Sequence, residues 1–495
     1  MSTYGGIVMK YSILDPEKQK AHFSKNIGEI SPFDAGVPLF ECSDDTITEI
    51  YYYRWHSFCK HIRKTPEGHV VTEFYPPVPW AKKYNTINCP ASHHLYEGRW
   101  LHEGKYIADY IRFWFSDPDA EPRQYSFPAA DSVYAVCKVK GDFSLAIELY
   151  DKLKENYFSW EKTHLRENGM FYQIDSKDGM EYSAGGSGIR PTINSYMYAD
   201  AVAISKIAKI LGKTADAAFF EEKAATLKEN INTLLWDDNA QFFKTLAEKN
   251  GFAHTSMREE IGYVPWCYCI PDGNKGSAWK FLFNKKHFAA PYGPTTAEQC
   301  CPEFMQTFDH ECLWNGPSWP FATSQTLTAL ANYLCDYENS ESYCDKKEYQ
   351  KLLFTYANSQ YDTLSDGSRM PYVDENLDPF TGEWLARKLL LEMEIAPGGT
   401  DRGADYNHST YCDLVLSGLC GIRANESNDL VINPLFDEET TEYLCADGVL
   451  YHGHYITVVW DKSGKRYGIG RGLSVLCDGK MLVHTETCEK TNIKL

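Results

Sequence analysis

The chain has 495 residues, 43% of them hydrophobic and 24% charged, with a formal charge of -19. That length buries a large core and accommodates more than one domain. The acidic balance, with no long Lys/Arg run, excludes a nucleic-acid or anionic-membrane surface, because phosphates attract basic patches; no run of about 18 apolar residues marks a membrane span.

The opening MSTYGGIVMKYSILDPEK lacks a basic start followed by a long apolar core, so it does not read as a secretory signal. The 16 cysteines are therefore expected to be reduced and mostly buried, in a cytoplasmic protein. Cys267-Tyr-Cys269 and Cys300-Cys301 lack zinc-ribbon spacing. His93 and His94 are adjacent and do not share a helix face. Gly468-Ile-Gly470-Arg-Gly472 lies among β-prone runs and opens no helix, and no P-loop or nucleophile elbow appears. No metal and no cofactor is expected. Aromatics reach 14%, which fits either a Tyr-rich helical core or a cleft lined by stacking rings.

The first forty or so residues mix short apolar pieces with Gly and Pro. Asp44-Asp45-Thr46 caps a predicted helix, ITEIYYYRWHSFCKHI. A long loop, Thr65 to about Ser92, then carries Thr72-Glu73-Phe74 and Pro79-Trp80; structureless loops of that length are uncommon and often functional. Helical patterns follow at His93–Phe115, Ala129–Val139 and Asp142–Trp160, the last two joined at Gly141. After the loop Thr163–Pro191 come Thr192–Leu211 and Thr214–Trp236, joined at Gly212. Further segments are Arg258–Cys269, Ser277–Phe283, Trp319–Tyr337, Lys346–Tyr361 and Ser409–Gly421. Short turns alternate with long loops, as in helical hairpins set around a ring, which puts the long loops on one face. From about Asn425 short alternating runs predict strands, with turns at Asp461–Gly464 and Asp478-Gly479.

Three loops carry chemistry. Asp309–Trp319, DHECLWNGPSW, sets Trp314 and Trp319 around Asn315, Gly316 and Pro317 and runs into a helix; the tryptophans are either core or flat faces suited to sugar rings. Asp175–Asn194 packs Asp178, Glu181, glycines, Arg190 and Asn194 between helices. Pro371–Trp384 repeats that make-up with Asp374, Glu375, Asn376, Asp378 and Glu383. Either acidic loop alone reads as a plain surface loop. Two on one face meet the need of glycosidic cleavage, one carboxyl protonated and one ionised. Separate loops hold the acids apart, and a gap of roughly 6.5–9.5 Å admits a water and inverts the anomeric centre.

At these residues the chain resembles the (α/α)6-barrel glycoside hydrolases of the trehalase and family 63 group, in their mannosylglycerate-hydrolase-like branch, over roughly Ile47 to Gly421. Gly179-Met180-Glu181-Tyr182-Ser183 stands where that group has Gly-Leu-Asp-Asn-Ser, with Glu in place of the acid Asp. Trp314-Asn-Gly-Pro-Ser-Trp319 matches its tryptophan element, and Glu375-Asn376-Leu377-Asp378-Pro379-Phe380-Thr381-Gly382 matches its base motif. The Phe-x-Trp-Ser stretch of the group is replaced by Tyr406-Asn-His408-Ser409-Thr410. The resemblance implies a mainly α (α/α)6 toroid with a small C-terminal β-rich unit. Its divisions fall at 1–45 (extension), 46–422 (catalytic barrel) and 423–495 (β-sandwich-like unit). It implies Glu181 as general acid, with Asp178 as rival, and Glu375 as base. Trp55, Trp100, Trp314 and Trp319 are expected stacking faces, and Arg99, Arg190, Asn194, Asn315 and His408 expected sugar contacts. The expected partner is a carbohydrate, cleaved at a terminal bond with inversion. A sugar phosphorylase, a sugar epimerase and a non-catalytic carbohydrate-binding protein are the alternatives on such a barrel.

Overall fold

The computed structural model describes residues 12–19 and 29–495, and the backbone of two short strands, Thr3–Tyr4 and Ile7–Val8. The expectation for residues 1–45 therefore lies partly outside the described residues. Helices dominate up to about residue 420 and strands thereafter.

The longer helices are α1 (Asp45–Lys60), α2 (Ala91–Gly98), α3 (Lys105–Ser116), α4 (Ala129–Lys140), α5 (Tyr150–His164), α6 (Pro191–Ile210), α7 (Thr214–Asn230), α8 (Pro320–Asp336), α9 (Lys346–Ser359) and α10 (Leu385–Glu392). Local chemistry sets their ends. The Asp44 carboxylate caps α1 at the Ile47 N–H (3.1 Å). Pro191 and Pro320 open α6 and α8 at the first helical position, where no N–H is required. Gly141 ends α4 with φ +68°, a left-handed conformation that glycine adopts without strain.

Several expected helices differ in detail: Asp142–Trp160 is split at Leu149, Ser277–Phe283 keeps only Trp279–Leu282 as α-helix, and Thr214–Trp236 turns wide after Asn230. His93–Phe115 is two helices, broken between Gly98 and Lys105. Arg258–Cys269 is a 3-10 segment, Glu260–Tyr268, with Pro265 inside it; the proline removes an amide donor and blocks a regular α turn. The last helix is a wide turn, Leu414–Leu419. Its start is capped by Glu97, reaching across from α2 to the N–H groups of Cys412 and Asp413, both 2.8 Å. An anion at a helix N-terminus is favoured by the helix dipole.

The helices pack side by side in succession. α9 lies on α1, α8 on α9, the 3-10 segment on α8, α6 on the 3-10 segment, α4 on α6 and α2 on α4. The Phe58 and His94 rings, 6.4 Å apart, bring α2 back to α1. α5 and α7 pack on the outer side of this succession, against α6. Trp55, Trp100, Trp266 and Trp279 are fully buried between the helices. Most of the aromatic excess is thus core.

The tail forms an antiparallel sheet of β2 (Tyr443–Tyr451), β3 (His454–Asp461), β4 (Gly472–Cys477) and β5 (Lys480–Thr485). A fifth strand, β1 (Leu39–Cys42), comes from the N-terminal side and pairs Phe40 with Ala446. Asp478-Gly479 is a two-residue hairpin turn with φ of 49° and 78°, as type I′ requires. The Asp461–Gly464 turn is part of a longer loop, wound around the Asp461 carboxylate, which accepts the Gly464 and Arg466 N–H groups at 2.8 Å. All 16 cysteines are free thiols. Among the described residues no helix is long and apolar enough to cross a membrane.

Candidate active site

The long loops gather over one end of the helices, stabilised by small apolar clusters of their own. Phe74, Val78, Ile87 and Tyr406 form one, and Met180, Trp314, Trp319 and Phe321 belong to another. Backbone bonds stitch the loops together. Trp314 N–H donates to the Glu181 carbonyl (3.0 Å), and Ser318 and Leu377 exchange two bonds of 2.9 and 3.0 Å. Tyr406 N–H donates to the Val373 carbonyl (3.2 Å) and Asn407 N–H to the Glu73 carbonyl (3.1 Å). Two glycines permit this closeness. A Cβ on Gly316 would stand 2.9 Å from Met305, and one on Gly179 2.4 Å from the Cys89 sulfur.

The loops enclose a cavity of about 320 Å³, lined by Glu181, Glu375, Trp319, Glu73, Arg402 and Tyr406, with Trp80, Phe74, Cys312, Glu311 and His310 among the others. Glu181 and Glu375 lie far apart in sequence and share this space. Both carboxyls are pushed up to about 7, chiefly by burial. Their neighbours differ. Glu375 accepts a bond from the Cys312 thiol (3.0 Å) and has the Arg402 guanidinium 3.7 Å away, and both favour its ionised form. Glu181 is raised further by the Glu375 and Asp175 carboxylates, is lowered by Lys177 and makes no ion pair within the described residues, while the Asp374 and Glu311 carboxylates raise Glu375. The two are raised alike, and what separates them is direct contact: a guanidinium and a thiol stand at Glu375 and neither stands at Glu181 among the described residues.

Glu73 is the third carboxyl in the cavity. It is fully buried, accepts the Tyr406 hydroxyl at 2.5 Å and is raised to about 8 by that burial. Arg402 is bound to Glu311 and to the Pro397 carbonyl (2.8 Å), and its guanidinium lies 4.8 Å from the centre of the Trp80 ring. It is the only Lys or Arg lining the cavity among the described residues.

Several expected site residues lie elsewhere. Asp178 faces away from the cavity: its carboxylate is buried against the Arg190 guanidinium (2.6 Å) and is held by the hydroxyls of Ser126 and Thr192. Arg190 is spent on that pair and on the Gly186 carbonyl. Asn194 pairs both ways with the Phe171 backbone, at 2.8 and 2.9 Å. Arg99 and the Trp100 indole N–H both go to Asp413. Trp55 is core, edge-on to Tyr51 and Phe58. Asn315 holds the Gln306 carbonyl (2.8 Å), and Trp314 is buried behind Trp319, the rings 4.5 Å apart and nearly parallel. In each case a polar group found a fixed partner within the protein, or a ring was drawn into the core. His408 sits just under the cavity, its ring 4.0 Å from that of Tyr406, with no partner for Nδ1 among the described residues.

Glu73, Arg402, Glu311, Cys312 and Trp80 were not among the expected site residues. Glu73 and Trp80 belong to the long loop whose length had marked it as functional, whereas nothing around Arg402 in the sequence points to the site. Two clusters outside the cavity have metal-ligand atom types close together, His287/Glu298/Cys300 and His454/Cys477/Asp478. In each the histidine already bonds the carboxylate, at 2.7 and 2.8 Å.

A family model for the mannosylglycerate hydrolase MGH1-like glycoside hydrolase domain matches residues 83–409. Among solved structures, a protein titled sialidase is 37% identical with a TM-score of 0.88, covering 96% of this chain and 44% of that one. The chain therefore spans less than half the length of that protein. The GH63 mannosylglycerate hydrolase from Thermus thermophilus, in complex with glucose, is 12% identical with a TM-score of 0.53, covering 74% of this chain and 98% of that one. An α-L-rhamnosidase from Dictyoglumus thermophilum is 12% identical with a TM-score of 0.54, covering 92% and 49%. The last two are likenesses of fold. With the family model spanning both acidic loops and the tryptophan element, the chain belongs to the mannosylglycerate hydrolase MGH1-like glycoside hydrolase family.

Proposed function

We propose that the protein hydrolyses a terminal glycosidic bond of a short, neutral saccharide or glycoconjugate, with inversion. The helices form an (α/α)6 toroid in this reading, supported by the succession of packed helices that returns from α2 to α1. The observation that carries the reaction is the unequal surroundings of Glu181 and Glu375 in one cavity.

Glu181, disposed to hold a proton, donates it to the leaving oxygen. Glu375, whose ionised form Arg402 and Cys312 favour, draws a proton from the attacking water on the opposite face of the sugar. Trp319 supplies a flat apolar face for the sugar ring. Glu73 and the Tyr406 hydroxyl, which donates its proton to Glu73, offer their remaining positions to sugar hydroxyls.

The lining also bears on the substrate. Three glutamates face the cavity besides Glu311, and its single guanidinium is taken by Glu311. A carboxylate or phosphate on the bound sugar would meet the Glu375 carboxylate, with the guanidinium already shared between Glu311 and Glu375. The same deficit disfavours phosphorolysis, which needs a cradle for orthophosphate. Arg99 and Arg190, the arginines expected to contact sugar, are paired outside the cavity.

The test is proton NMR of the anomer first released from a panel of neutral α- and β-linked disaccharides and aryl glycosides. Release of the inverted anomer supports the pair as acid and base. Release with retention makes Glu375 a nucleophile and sinks the mechanism.

A further inference from the structure

A second and larger cavity, about 450 Å³, lies where α2, α4, α6 and α8 meet the end strands Ile422–Arg423, Asp429–Ile432 and Thr491–Lys494. It shares no lining residue with the catalytic cavity. Its charge runs against the chain's. Arg99, Lys138, Lys206, Arg423 and Lys490 line it against Asp131, Asp336 and Asp413, in a protein carrying -19.

Most of these charges are matched. Arg99 pairs with Asp413 (2.7 Å), Arg423 with Asp336 (3.2 Å) and Lys206 with Glu426 (2.5 Å). Two are not. Lys490 reaches only the Cys335 carbonyl, at 3.4 Å. Lys138 makes no ion pair or hydrogen bond through its ammonium among the described residues, and burial holds its pKa below the usual lysine value. Asp131, the nearest acid on its own helix, accepts the Tyr96 hydroxyl at 2.6 Å. The Tyr268 hydroxyl, with no hydrogen bond of its own among the described residues, and the Asn433 carboxamide, which meets the Cys335 thiol, also line the space. Asp131 and Glu426 act on Lys138 electrostatically without bonding its ammonium, which leaves its three donors open to a ligand. The volume is that of small-molecule sites generally.

We propose that this rear cavity binds a small polyhydroxy oxyanion, a sugar phosphate or a sugar acid. Lys138 and Lys490 meet the anionic group, and Tyr268 and Asn433 meet the hydroxyls. The two cavities then sort ligands by charge: neutral sugar at the glutamate-lined end, anion at the lysine-lined end.

Isothermal titration calorimetry tests this with D-glucose 6-phosphate, D-gluconate and D-glucose. The parent protein, Lys138→Gln, Asn433→Asp and Glu375→Gln are compared at one salt concentration, after circular dichroism has shown each variant folded. The expected result is saturable binding of at least one anion and none of glucose at this site. Lys138→Gln weakens that binding about tenfold or more, Asn433→Asp weakens it through repulsion, and Glu375→Gln leaves it unchanged. Binding of glucose 6-phosphate alone identifies a phosphate site, and binding of gluconate alone a carboxylate site. The proposal is overturned if neither anion saturates by about 10 mM, if Lys138→Gln and Asn433→Asp bind like the parent, or if Glu375→Gln abolishes binding.

Discussion

Two acidic loops of similar composition end in different electrostatic states. In the loop after α5, Asp178 and Glu181 lie three residues apart. Asp178 is buried against Arg190 and faces away from the cavity; Glu181 is half-buried, unpaired and raised to about 7. In the loop before α10, Asp374 accepts the Tyr372 hydroxyl (2.6 Å) and the Glu375 N–H (2.8 Å), while Glu375 turns to Arg402 and Cys312. Each loop thus spends one acid on its own architecture and presents the other. The difference between the loops is the cation: Arg402 stands 3.7 Å from Glu375, whereas Lys177 acts on Glu181 without an ion pair among the described residues. A carboxyl's role follows from its partners rather than from its loop.

The strongest way to break this comparison is to remove each presented acid. Glu375→Gln is expected to lower kcat by about 10³–10⁴-fold on any substrate. Glu181→Gln is expected to cost about as much on a disaccharide and far less on an aryl glycoside whose leaving group needs no proton. Equal losses on both substrates would refute the acid assignment.

The structural acid answers to a different measurement. Asp178→Asn strands Arg190 as a buried unpaired charge and is expected to cost about 3–5 kcal/mol in urea unfolding. Glu181→Gln should leave stability near that of the parent. If Asp178→Asn were as stable as the parent, the division of labour within that loop would be wrong.

Arg402→Met tests the cation. Arg402 lowers the pKa of Glu375 toward ionisation, and the base works only when ionised. Its removal is expected to move the acid limb of kcat/KM up by about one pH unit or more. Activity then falls most at low pH and least above the shifted limb. An unmoved limb would show that Glu375 owes nothing to Arg402.

The smallest effect is expected at Glu73. Its folded-state pKa of about 8 lies above the ordinary glutamate value of 4.5. The folded state therefore favours the protonated form, and ionisation costs stability increasingly as pH rises from about 4.5 to about 8, then no further. Glu73→Gln removes that cost, so its Tm relative to the parent should rise by about 1 °C or more between pH 5 and pH 9. A difference independent of pH would mean that Glu73 titrates normally.

Much of the architecture was legible in the chain because it rests on local rules. Asp44 capped its helix, the glycine at 141 ended one, and Asp478-Gly479 made its hairpin turn. Pro265 and the break after Gly98 were visible residues whose effect on helix type was not anticipated. The motifs brought Glu181, Glu375 and Trp319 to notice, and all three line one cavity.

The other tryptophans, arginines and asparagines share those residue types but not that fate. Side-chain type does not encode whether a long-range partner is near. Asp413 lies 314 positions from Arg99 and claims it. Arg402 reaches Glu375 from a stretch with no pattern of its own. Helix ends, turns and the pairing of acids with aromatics were set by neighbours in sequence, where a few dihedral angles and hydrogen bonds suffice. Which acid is exposed, which is neutralised and which lysine lacks a partner were decided only when distant segments met, because desolvation and Coulomb interaction depend on distance in space.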